Sequence, residues 1–96
     1  MVQITVRFSG PLRQLAGRQS LALSLSHGAT VRHALSALRA HVPAAFVERV
    51  IDPLECGVAP ATLVLRNTHP LRSSLDLDVA LAAGDVLAFV LPMEGG

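Results

Sequence analysis

His33 and His41 stand eight residues apart, and on one helix that spacing separates them by about 12 Å along the axis, too far to share a metal ion easily. No other His or Cys falls at ligand spacing, so no metal site is expected. His27 and His69 sit beside turn residues and read as surface groups. Cys56 is the only cysteine, and no neighbouring His or basic cluster would draw its thiol toward thiolate. A lone thiol also rules out an internal disulfide and fits a reducing compartment. What remains is the closing stretch "VLAFVLPMEGG". Gly95 and Gly96 lose much conformational freedom if ordered and bury nothing, so an apolar strand that runs into them raises the question of their use.

Half of the 96 residues are apolar and only about one in six is charged, which excludes a disordered polymer and allows one modest core. The longest apolar run near the end, Val86 to Met93, falls far short of the roughly 20 residues a bilayer requires. The opening "MVQITVRFSG" alternates like a strand and lacks the basic start and long apolar block of a secretory signal. No membrane association and a cytoplasmic location are therefore expected. Net charge is +1, and the eight basic residues are all Arg, scattered at 7, 13, 18, 32, 39, 49, 66 and 72. With no basic run and only three Phe for stacking, nucleic-acid binding is not expected. The absence of Lys fits a GC-rich genome; it also means that an activated carboxyl group would find no lysine amine on its own chain.

The elements that must position these residues follow from periodicity. "VQITVRF" puts Val2, Ile4, Val6 and Phe8 on one side, and "SLALSLS" does the same for Leu21, Leu23 and Leu25, so both are half-buried strands. "GPLRQLAG" between them reads as a connection with at most one turn of helix. Thr30 can cap a helix carrying Val31, Leu35, Leu38 and Val42, limited by Pro43. "AAFVERVIDP" adds a short second helix that Asp52-Pro53 stops, and "LECGVAPA" is an irregular excursion. "TLVLRN" is a third strand with Leu63 and Leu65 as its core face. "THPLRSS" is a turn, and "LDLDVAL" is a short edge strand with Asp76 and Asp78 outward, which discourages stray pairing. Gly84 and Asp85 form a tight turn before the last strand, "VLAFVL". Two hairpin-like pairs around one main helix make an α+β plan. A right-handed crossover then sets the first and last strands parallel in the centre of a mixed sheet of four to five strands, the β-grasp arrangement. Residues 1–92 are expected to form one domain and 93–96 a flexible tail.

The last strand departs from the alternation expected of a sheet covered on one face. Leu87, Phe89 and Leu91 point one way; Val86, Ala88 and Val90 point the other, and both sets are apolar. Val64 is expected to join the second set, with Ala22 from the second strand. A central strand tolerates such residues, but an apolar patch rimmed by Arg7 and Arg66 and covered by a partner is the preferred reading, because the same strand delivers the glycine tail.

Together "VRFSGPLRQLAG", "LAAGDVLAFVLP" and the closing "GG" resemble the ubiquitin-like sulfur-carrier proteins of the MoaD/ThiS family, in particular the small subunit of molybdopterin synthase. Arg13, Leu15 and Gly17 fall where that family's loop carries Arg, Leu and Gly; Gly84 and Asp85 match the turn before its last strand, and Pro92 a proline before its tail. Glu94 departs from the family pattern, where a small or neutral residue is expected, and residues 43–60 are longer than the shortest members need.

The resemblance implies that an E1-like enzyme of the MoeB/ThiF type uses ATP to adenylate the carboxylate of Gly96. A sulfur donor, such as a cysteine desulfurase or rhodanese, then displaces AMP and leaves a thiocarboxylate. Pro92, Met93, Glu94 and Gly95 would be the tether, and glycines make the thinnest one because they lack a Cβ. A large synthase subunit of the MoaE type would consume the sulfur if the route is that of the molybdenum cofactor. Val90, Ala88, Val64, Arg13, Arg7 and Arg66 are the candidate partner-binding residues; Arg13 serves equally well as a salt bridge fixing its loop. The chain itself would bind no cofactor and would be a carrier subunit, not a catalyst alone. Sulfur delivery to cysteine, thiamin or tRNA, a ubiquitin-like modifier, and an interaction module without sulfur chemistry remain open alternatives.

Overall fold

Strand β1 (Val2–Phe8) buries Val2, Ile4, Val6 and Phe8 on one face, and β2 (Ser20–Leu25) buries Leu21, Leu23 and Leu25 on the same face. The period of two in the sequence is thus the inside–outside alternation of a sheet covered on one side. The computed structural model describes residues 1–55, 63–71 and 74–90. Between β1 and β2 the chain makes a true helix, α1 (Pro11–Ala16), rather than a connection with at most one turn. Proline at its start and Gly17 at its end, in the left-handed region at φ 82°, supply the preferred entry and exit of a short helix.

Helix α2 (Val31–Leu38) begins at Thr30, whose hydroxyl accepts from the His33 N–H at 3.4 Å while His33 Nδ1 accepts from the Thr30 N–H at 3.0 Å. This reciprocal cap gives His33 a structural task. The expected run to Val42 stops early: Ala40 and His41 donate to carbonyls only three residues back, a tightening that lets the chain reach Pro43 extended. Beyond it, α3 (Ala44–Phe46), a π turn (Val47–Ile51) and α4 (Asp52–Glu55) succeed one another. Pro53 does not stop this segment as expected. The Asp52 N–H reaches the Val47 carbonyl five residues back, and that widened turn relieves the clash a proline ring would have with a regular helix. The segment 56–62, which holds Cys56 and most of the expected excursion, lies outside the described residues.

Strands β3 (Leu63–Arg66), β4 (His69–Pro70) and β5 (Val86–Val90) complete a five-stranded sheet ordered β2-β1-β5-β3-β4. β5 is parallel to β1 and antiparallel to β3, so the first and last strands meet in the centre as expected. The edge strand is not "LDLDVAL": residues Ser74–Asp78 form a 3-10 turn, and the two-residue β4 takes the edge. Leu77 and Leu81, four residues apart, are buried, and Asp78 pairs with Arg32 at 3.2 Å.

All three Phe of the chain converge. Phe8, Phe46 and Phe89 have ring centroids 5.2, 5.7 and 5.6 Å apart and are almost wholly buried. They tie β1 and β5 to α3, and each such pair contributes about 0.5–1.5 kcal/mol beyond the area it buries.

Candidate functional site: the open sheet face and the exit of the last strand

Register decides what faces solvent. Across the sheet, Ser20, Arg7, Ala88, Leu65 and Pro70 form one row, and Ala22, Thr5 and Val86 the next. Val86, Ala88, Val90 and Leu65 are half-buried on the open face, with Ala22 and Arg7 exposed beside them. The result is an apolar strip along β5, flanked on the β1–β2 side by Gln3, Thr5, Ser20 and Ser24.

Two expectations change here. Val64 lies opposite Phe89 and is only 2% exposed; it belongs to the core face and cannot touch a partner, and Leu65 takes its place on the open face. The phase of β3 is fixed by its pairing with β5, which three consecutive apolar residues cannot reveal. Arg66 does not rim the patch. It lies opposite Leu87, on the core side of the ladder, and its Nη1 donates to Asp85 Oδ2 at 3.2 Å.

Asp85 is the electrostatic anchor of the turn that launches β5. Its carboxylate, buried in the fold, accepts from the Ala82 N–H at 2.9 Å, from Asn67 Nδ2 at 3.2 Å and from Arg66. The Ala82 N–H, then Asn67 and Arg66, hold its proton affinity below the ordinary carboxylate range despite desolvation. Asn67, at φ 59°, returns the contact: its Oδ1 accepts from the Val86 N–H at 3.0 Å and its own N–H reaches the Val86 carbonyl at 2.7 Å. Gly84, at φ 87°, donates to the Gln3 carbonyl. This knot locks the entry of β5 to β1 and to the β3–β4 turn.

At the other end, the Ser9 N–H donates to the Phe89 carbonyl at 3.0 Å, so α1 starts where β5 leaves the sheet. Arg13 on α1 is exposed, as are Arg7 on β1 and Arg18, the last of which sequence reasoning had not singled out. No hydrogen bond or ion pair of these three side chains is found among the described residues. Pro92, Met93, Glu94, Gly95 and Gly96 lie outside the described residues. Among the described residues no three His, Cys, Asp or Glu side chains gather where they could hold a metal ion, and no helix is long and apolar enough to cross a membrane.

An apolar open face on a central last strand is what the residues of β5 led one to expect. A family profile matches residues 6–96. The chain belongs to the ThiS family. This ThiS-family chain is similar to SAMP1 from Haloferax volcanii, at 30% identity over 98% of this chain and 99% of that one, with a TM-score of 0.74. It shares its fold with a putative molybdopterin converting factor subunit 1 from Pyrococcus furiosus (24% identity, 97% and 100% covered, TM-score 0.76). The same holds for a chain of the complex of subunits 1 and 2 of the molybdopterin-converting factor from Helicobacter pylori (18% identity, 99% and 100% covered, TM-score 0.66). No curated protein matches it. The ThiS-family sheet is the ubiquitin-like β-grasp.

Proposed function

We propose that this chain is a cytoplasmic sulfur carrier whose terminal Gly96 is adenylated and then thiocarboxylated, and that it donates sulfur to molybdopterin. The observation that carries the reading is β5 itself: its core face holds it in the middle of the sheet, while Val86, Ala88 and Val90 leave its other face apolar up to the residues that lead to the glycines. That strip, extended by Leu65 and edged by Arg7, with Arg13 exposed on α1, is the surface an E1-like adenylating enzyme and then a large synthase subunit would cover. The Helicobacter pylori complex of two subunits supports a partner of that second kind.

The chemistry is spent at the terminus. The Gly96 carboxylate attacks the α-phosphorus of ATP with loss of pyrophosphate, and the outer sulfur of a donor persulfide displaces AMP from the acyl carbon. A thiol then cleaves the acyl disulfide, forming a disulfide with the donor cysteine and releasing the thiocarboxylate. The absence of a Cβ at Gly95 and Gly96 removes the obstruction that any other residue would meet inside a narrow active site. Arg or Lys donors of the partner suit the anionic end.

The test is intact mass after incubation with ATP, an activating enzyme of the host and a sulfur source. An oxygen-for-sulfur gain that is lost on deletion of Gly96 supports the carrier. A second reading, a ubiquitin-like modifier, is favoured by the likeness to an archaeal modifier protein; adducts on lysines of other proteins would select it. No change with any host activating enzyme refutes both.

A further inference from the structure

The two edges of the sheet are treated differently. β4 is two residues long and contains Pro70, a blunted edge. β2 is six residues long, unbroken in register against β1, and carries no charge, no proline and no bulge. Natural proteins rarely leave such an edge unguarded.

The backbone groups on that edge can be assigned. The Thr5 N–H reaches the Asp85 carbonyl, and the Ser9 N–H that of Phe89, so odd-numbered β1 residues bond toward β5. The Phe8 N–H reaches the Gln19 carbonyl, so even-numbered ones bond toward β2. By the alternation of an antiparallel ladder, Leu21, Leu23 and Leu25 then bond inward to β1. The N–H and C=O groups of Ser20, Ala22 and Ser24 point off the edge, and these three residues are exposed.

We propose that this edge pairs with β2 of a second copy of the chain, antiparallel about Ala22, to give a continuous ten-stranded sheet. The strand is complementary to itself in that register. Ala22 lies opposite Ala22 and Ser20 opposite Ser24, so every outward group meets an outward group. Leu21 lies opposite Leu23, so the core faces run on without a break and the small Ser and Ala side chains share the open face. A slip of one residue would set each Leu against a Ser or Ala and put the two core faces on opposite sides of the sheet. No like charges meet within the pairing. The two β5 strands stand five strand spacings apart, about 24 Å, and point in opposite directions, so each keeps its own open face and exit. The proposal stands whether or not the terminus carries sulfur.

Pairing along a single edge buries less surface than a standard interface, so the dimer is concentration-dependent, half-formed on the order of 100 µM. Sedimentation equilibrium of the full chain from about 10 µM to about 1 mM is expected to show it, and Ala22→Lys, which sets two ammonium groups face to face on an exposed position, to weaken it at least tenfold at unchanged thermal stability. Amide exchange needs no variant: the Ser20, Ala22 and Ser24 amides become protected as concentration rises, while those of Leu21, Leu23 and Leu25 are protected throughout. A monomer at the highest concentration, unprotected Ser20, Ala22 and Ser24 amides, or a dimer abolished by Leu65→Asp but not by Ala22→Lys overturns the proposal.

Discussion

Replacing Asp85 by Asn keeps the shape of the side chain and removes its charge. One amide oxygen remains, and the Ala82 N–H claims it because a backbone donor at 2.9 Å cannot turn away. The new NH2 group then faces Asn67 Nδ2, donor against donor, where an acceptor stood at 3.2 Å. Hydrogen bonds to a charged group contribute about 1.5–3 kcal/mol each. The Arg66 pair, with that side chain 30% exposed, adds less than about 1 kcal/mol. The expected loss is about 2–3 kcal/mol at pH 7, or about 10–20 °C in melting temperature for a domain of this size. Because the folded Asp85 titrates below its unfolded value, its contribution is fully present above the unfolded pKa and is lost as pH falls through the folded one. The gap between wild type and Asp85→Asn is therefore constant down to about pH 5 and closes below about pH 4. The chain has neither Trp nor Tyr, so far-UV circular dichroism follows the melts, at pH 7, 5, 4 and 3. Asn67→Gly, which keeps the left-handed φ available, should add less than its own effect to that of Asp85→Asn, since both break one network. A gap that is equal at pH 7 and pH 3, or full additivity of the two substitutions, would refute the knot as described.

Gly84→Ala has open space for its Cβ but must hold φ near +87°, so strain alone should lower stability by about 1–2 kcal/mol, read as a shift in the urea midpoint at unchanged m-value. Val64→Asp and Leu65→Asp are adjacent but opposite: the first should unfold the chain, the second should leave its melting temperature within a few degrees and weaken capture by the activating enzyme. Equal behaviour of the two by circular dichroism contradicts the register. Phe46→Ala removes the ring that caps Phe8 and Phe89 and should cost about 3–5 kcal/mol, enough to broaden or abolish the thermal transition.

The half-buried strands were legible because β1 and β2 alternate apolar and polar residues, and only one face could be inside. β3 was not: Leu63, Val64 and Leu65 are all apolar, and which one faces the helices depends on where Asn67 turns the chain and which residue of β5 it meets. "LDLDVAL" alternates like β1, but Ser74–Asp78 forms a 3-10 turn and Ala80 only bridges Thr30 ahead of α2, so Leu77 and Leu81 are buried without a strand. The Gly84-Asp85 turn could be read from its residue types, whereas the partners of Asp85, Arg66 and Asn67, stand 19 and 18 residues earlier and leave no local trace. The aromatic cluster is similar, its members being scattered at 8, 46 and 89. The apolar outer face of β5 was visible in the sequence, since no phase of the strand could hide it; the turn of Arg66 away from that face toward Asp85 needed the chain to be folded.

The central place of β5 also orders events during synthesis. It follows the other four strands along the chain, yet it fills the slot between β1 and β3, so the sheet cannot close until the domain has emerged as far as Val90. Until then β1 and β3 have no common neighbour, and Phe8 and Phe46 lack their third ring. Closure of the sheet therefore comes after the other strands are made, through contacts of long sequence separation that form late. Any enzyme that recognises the finished sheet is thereby supplied only with molecules that have passed this last step.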